Sequence, residues 1–157
     1  MGSPIKTSDF LAFPSSYTGG ISLATGWVAG GQGGVQRIIT GQLAGSGQVK
    51  VFSSGSGLTA GPAMYMMSPN NYAMNVPFVQ VASFVPFAGS GGRGVRLATT
   101  STVYGADVLV SGSGTQGSTV ERYQLARASS TAQTLKATEL TQIDTLPGNA
   151  VPGLGGD

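Results

Sequence analysis

Few side chains of this 157-residue chain could do chemistry. It has no histidine and no cysteine, so the side chain most used as a general base and the most reactive nucleophile are both missing. Disulfides and cysteine-held metals go with them. A paired-carboxylate mechanism would need two of Asp9, Asp107, Glu121, Glu139, Asp144 and Asp157 held across a substrate. Four of these fall in strand patterns or near the termini, where a surface role suffices. The glycine-rich stretches 30–34, 45–47, 55–57 and 89–94 contain no Gly-Lys-Ser/Thr and precede no helix, so they read as β-turns and not as phosphate cradles. The chain is expected not to be an enzyme, with no catalytic, cofactor-binding or metal-binding residue. Recognition is the chemistry left. Tyr17, Trp27, Arg93 and Tyr104 lie in loops, where aromatic faces can stack on sugars. For Trp27 the stronger expectation is a plug in the core.

Those loops hang on a pattern that occurs twice. Gly20-Ile21-Ser22-Leu23-Ala24-Thr25 returns 74 residues later as Gly94-Val95-Arg96-Leu97-Ala98-Thr99, and Phe10 and Phe13 precede the first as Phe84 and Phe87 precede the second. Downstream, Arg37-Ile38-Ile39-Thr40-Gly41 answers to Val108-Leu109-Val110-Ser111-Gly112, and Val49-Lys50-Val51-Phe52 to Val120-Glu121-Arg122-Tyr123, both at a spacing of 71. Ordered blocks with one small deletion mark an internal duplication.

Within each copy the period is that of strands. Ile21, Leu23 and Thr25 alternate with Ser22, Ala24 and Gly26, and glycine turns separate runs rich in β-branched residues. Phe10–Phe13 reads as a short strand ended by Pro14. In the run Thr134 to Ile143, Leu135, Ala137, Glu139, Thr141 and Ile143 oppose Lys136, Thr138, Leu140 and Gln142, a charged pattern that suggests an edge or solvent-facing strand. Only Gln124 to Thr138 offers a competing helix, weakened by its Ser-Ser-Thr block. The expectation is an all-β chain of two tandem four-stranded antiparallel repeats with extended terminal arms. Its parts are an arm at 1–9, a first repeat at 10–57, and a Met/Tyr/Pro-rich insertion with the start of a linking strand at 58–80. A second repeat at 81–144 and a Gly/Pro-rich tail at 145–157 complete it.

Read strand to strand, the unit Phe-x-x-Phe, Gly-Val-x-Leu-Ala-Thr, Asp-Val-Leu-Val-Ser-Gly and Val-x-Val-Phe resembles the FG-GAP-like (integrin-α-type) β-propeller repeat of bacterial surface proteins, over about residues 8–57 and 81–124. The resemblance implies four antiparallel strands per blade. It also implies a calcium loop of the Asp-x-Asp-x-Asp-Gly type after the Leu-Ala-Thr strand. Here that place has no carboxylate in the first copy and only Asp107 in the second, too few oxygens for calcium. The calcium site is not carried over, and Asp107 reads as a turn or strand-start residue. Two blades cannot close a ring that needs four or more. The expectation is a propeller fragment or sandwich-like pair whose missing neighbours come from other copies.

Composition agrees with association. Charged residues are 9% of the chain, against about 25% in ordinary soluble domains, and such a surface repels its neighbours poorly. The net charge is +2 and the eight cations are scattered, so nucleic acid is not an expected partner. No apolar stretch reaches the length of a membrane span. The start, Met1-Gly2-Ser3-Pro4-Ile5-Lys6, lacks a hydrophobic signal region, which reads as a processed form or another export route. Asn-x-Ser/Thr is absent, so any glycan would be O-linked. The functional expectation is a structural glycoprotein-like subunit that assembles with itself into a filament, a helical polymer or a surface layer. Its place would be extracellular, at a cell surface or on a virion. Ile5, Phe10, Met64, Tyr65, Met66, Met67, Tyr72, Met74, Val151 and Leu154 are the expected assembly residues, through arms adding to a sheet edge and through adaptable methionines. The alternative is a carbohydrate- or protein-binding module using Tyr17, Trp27, Arg93 and Tyr104.

Overall fold

The structure, a computed structural model, describes residues 9–28, 36–54, 78–87, 94–102, 105–114, 117–127 and 134–145. Among them there is no helix, and every regular element is a strand. The first sheet is an antiparallel meander of β1 (Ile21–Gly26), β2 (Arg37–Gln42), β3 (Val49–Ser54) and β4 (Phe78–Phe84). The second repeats it with β5 (Val95–Thr102), β6 (Gly105–Gly114), β7 (Gly117–Arg127) and β8 (Leu135–Thr145). Where helix competed on paper, β7 runs on as strand to Arg127, and β8 is the outermost strand of its sheet.

The duplication is visible in the hydrogen-bond register. Ile21 pairs with Gln42 as Val95 pairs with Gly112, and Ile38 with Phe52 as Val108 with Tyr123. Each third strand carries a register shift at the same place, between Val51 and Phe52 and between Arg122 and Tyr123. A bulge repeated at one position is a built feature. The pairing also corrects one detail: β2 and β6 correspond at a spacing of 70, so Ile38 matches Val108.

Two further expectations change. Phe10–Phe13 forms no strand; the segment is irregular. Its rings nevertheless keep the repeat, because Phe10 lies 4.7 Å from Phe52 and Phe84 lies 4.7 Å from Tyr123, centroid to centroid. The fourth strand of the first sheet is Phe78–Phe84, paired with β3. It closes the first repeat instead of opening the second, since hydrogen bonding to β3 continues through Phe84.

The core lies between the sheets, with Ile39, Val49, Val51 and Val81 from the first and Val95, Val108, Val110, Leu125 and Leu135 from the second. β1 and β2 lie against β5, and β4 against β8. The approach is close because small residues line β1 and β2. A Cβ added to Gly26 would sit 2.9 Å from Thr99 Cγ2, and one added to Gly41 would sit 2.8 Å from Val95 Cγ2. Leu97 N–H donates to Ser22 Oγ at 2.9 Å, and Thr99 Oγ1 donates to the Thr25 carbonyl at 2.8 Å. The small row Ser22, Ala24, Gly26 therefore faces inward. Its neighbours Ile21, Leu23 and Thr25 face away.

Candidate assembly surface

Exposure along β1 alternates strictly and continues past the strand: Ile21, Leu23, Thr25 and Trp27 are exposed, while Gly26 and Val28 are buried. Ile21 is 51% exposed, Leu23 60% and Trp27 56%. At about 3.3 Å per residue this is an apolar stripe roughly 20 Å long. Trp27 is thus not the core plug expected of it. Val28, fully buried, fills that place and bridges to Ala106 at the start of β6.

The second copy makes the stripe informative. Val95, Leu97 and Thr99 occupy the positions of Ile21, Leu23 and Thr25. There Val95 is only 3% exposed and Leu97 packs against the core. Equivalent residues are covered in one repeat and bare in the other. In a symmetric face-to-face sandwich Leu23 and Leu97 would both point to the interface. Here the front of the second sheet meets the back of the first, as successive blades stack.

The rest of the outer face of the first sheet is partly roofed by its own chain. Phe10 covers Phe52 and Phe78, with the second ring pair at 5.0 Å. Phe13 is buried, with the Lys50 amine 5.1 Å from its ring centroid. Tyr17 OH donates to the Gly20 carbonyl at 2.8 Å and accepts from the Ala44 N–H at 3.2 Å, which pins the turn before β1. Tyr17 is thus a structural clasp. The roof stops short of β1.

The outer face of the second sheet carries the counterparts of the inward row: Arg96, Ala98 and Thr100 on β5, Leu109 and Ser111 on β6, Val120 and Arg122 on β7. Arg122 Nε donates to Asp107 Oδ2 at 2.7 Å, so its charge is matched by a buried carboxylate. That pairing ties the start of β6 to β7 through Asp107. Between the sheets, Tyr123 OH donates to Glu121 Oε2, and burial, this hydrogen bond, and the charges of Glu121 and Glu139 push the phenol pKa well up. Arg37 is buried, donates to the Val28 carbonyl, and has no partner for Nε among the described residues. Burial and the charge of Arg127 lower its pKa.

Of the residues singled out on paper, Phe10, Tyr17 and Trp27 are described, and they do not converge on one site. Ile5, Met64, Tyr65, Met66, Met67, Tyr72, Met74, Val151, Leu154, Arg93 and Tyr104 lie outside the described residues. Ile21 and Leu23 were missed because large apolar residues in a strand read as core. The signal available was Arg96, which marks the outward parity of the second copy and so sets the two copies' faces against each other. Among the described residues, no three metal-ligating side chains gather and no helix is long and apolar enough to cross a membrane. No protein-family model, no curated protein and no solved structure matches the chain.

Proposed function

We propose that this chain is a structural subunit that assembles with copies of itself into an extracellular filament or surface layer. One observation carries the reading. Ile21 and Leu23, which continue as a stripe to the exposed Trp27, are exposed where their counterparts Val95 and Leu97 are packed under a neighbouring sheet. Single exposed apolar residues are ordinary, but an aligned row with a buried counterpart is the surface of a stack that continues. A chain with 9% charged residues adds little electrostatic repulsion to resist that contact.

Electron microscopy of the concentrated protein tests this. Polymers with a regular axial repeat are expected. Deleting 1–9 or 146–157 separates the contribution of the arms, which would join subunits by strand addition at a sheet edge, from that of the stripe.

A second reading is favoured by one feature, the 56% exposed indole of Trp27. On a surface module that ring would stack on a sugar. Glycan-array binding that is lost in Trp27→Ala, with the thermal transition unchanged, would support it.

A further inference from the structure

The self-association proposed above leaves open which surface covers the stripe. We infer that it is the outer face of the second sheet of another copy, centred on Ala98, Leu109, Ser111 and Val120, so that subunits stack head to tail. The inference rests on the self-assembly reading and specifies its contact.

The internal interface supplies the template. The back of the first sheet, with Ser22, Ala24, Gly26, Ile39, Gly41 and Val49, covers Val95, Leu97 and Thr99. Shifting each partner by one repeat places the outer face of the second sheet over Ile21, Leu23 and Thr25. Ala98 stands where Ala24 does, Leu109 where Ile39 does and Val120 where Val49 does. The apolar centre is therefore conserved between the two copies. Arg122 replaces Val51, yet its charge is held by Asp107 at 2.7 Å, so it brings no unpaired cation to the middle of the contact. Arg96, on the edge strand β5, stands where Ser22 does and is exposed on this face. The stripe, which has no charged side chain, is therefore matched by the neutral centre Ala98, Leu109, Ser111 and Val120 and not by that edge.

The two contacts differ in closeness. Thr100 and Ser111 carry side chains where Gly26 and Gly41 are bare. Sheets meeting there stay further apart than within the chain. The intermolecular contact is thus weaker than the internal one and forms reversibly with concentration. Since one face is the front and the other the back, the contact is heterologous and propagates.

The chain has no cysteine, so Leu23→Cys and Ser111→Cys each give a single-thiol protein. Their in-chain counterparts touch: a Cβ at Gly41 would lie 3.1 Å from Leu97 Cδ1. Full-length L23C and S111C are treated with a short bis-maleimide, separately and mixed, with circular dichroism confirming that each folds. Cross-linked dimer in the mixture and none in either protein alone is expected. Dimer in L23C alone would mean stripes facing each other and would overturn head-to-tail stacking. Polymers by sedimentation without any cross-link would overturn this contact while leaving self-assembly standing. Monomers throughout would remove both.

Discussion

Leu23 and Leu97 are the same residue of a duplicated motif with opposite surroundings: Leu97 packs against the core between the sheets, and Leu23 is 60% exposed. The difference follows from front-to-back stacking, which covers one face of each sheet and leaves a stripe on the first. Truncation should expose the asymmetry. Leu97→Ala is expected to cost about 1–3 kcal/mol of folding stability, since it empties packed volume. Leu23→Ala should change stability by no more than about 0.5 kcal/mol while weakening association. Urea unfolding of the two variants at a concentration where the protein is monomeric checks the pair.

The glycines that open the two copies share a backbone conformation but not a neighbourhood. Gly20 has φ 79° and Gly94 has φ 69°, the left-handed region that costs other residues about 1–2 kcal/mol. A Cβ on Gly20 would meet only the Leu43 side chain at 3.4 Å, whereas one on Gly94 would fall 2.1 Å from the Leu43 carbonyl carbon. Backbone cannot rotate aside. Gly20→Ala should lower stability by about 1–2 kcal/mol, and Gly94→Ala by clearly more, read from thermal unfolding midpoints.

Tyr123 ties stability to alkaline pH. Burial, its hydrogen bond to Glu121 and the neighbouring carboxylates raise the phenol above its ordinary 10.0. The folded protein keeps the proton after the unfolded chain has lost it. The contribution is therefore complete below pH 10 and declines as pH rises beyond it, by at most about 1.4 kcal/mol per pH unit. Chemical denaturation of wild type and Tyr123→Phe between pH 8 and pH 11 should show the steeper loss in wild type.

Arg37 is a buried cation that feels the charge of Arg127, and its Nε has no partner among the described residues. Replacing a poorly compensated buried charge by an apolar side chain of similar length is often neutral or stabilising. Arg37→Met is expected to leave stability unchanged or raise it by about 1 kcal/mol, measured by urea unfolding. A loss above about 2 kcal/mol would show that the bond to the Val28 carbonyl outweighs desolvation.

The all-β class, the glycine turns and the duplication were legible in the sequence, because strand period and turn chemistry are local. The direction each strand faces was not. On hydrophobicity Ile21 and Leu23 should point inward and Ser22, Ala24 and Gly26 outward. The fold reverses this because β5 approaches so near that only small side chains fit beneath it, as the 2.9 Å and 2.8 Å clearances at Gly26 and Gly41 record. Trp27 follows the same parity, which is why its size misled. The role of Phe78–Phe84 as a closing strand depends on pairing with β3 across residues 55–77, a long-range contact that no local pattern carries. The Met/Tyr-rich segment, the arms, Arg93 and Tyr104 fall outside the described residues.

Sedimentation velocity over a dilution series, run side by side on wild type and Leu23→Lys, tests self-assembly through the exposed stripe most directly. Wild type should shift from the 15.7 kDa species to progressively larger ones as concentration rises, and the lysine variant should remain at the small end with its fold intact. A wild-type chain sedimenting as one 15.7 kDa species at every concentration would contradict the account.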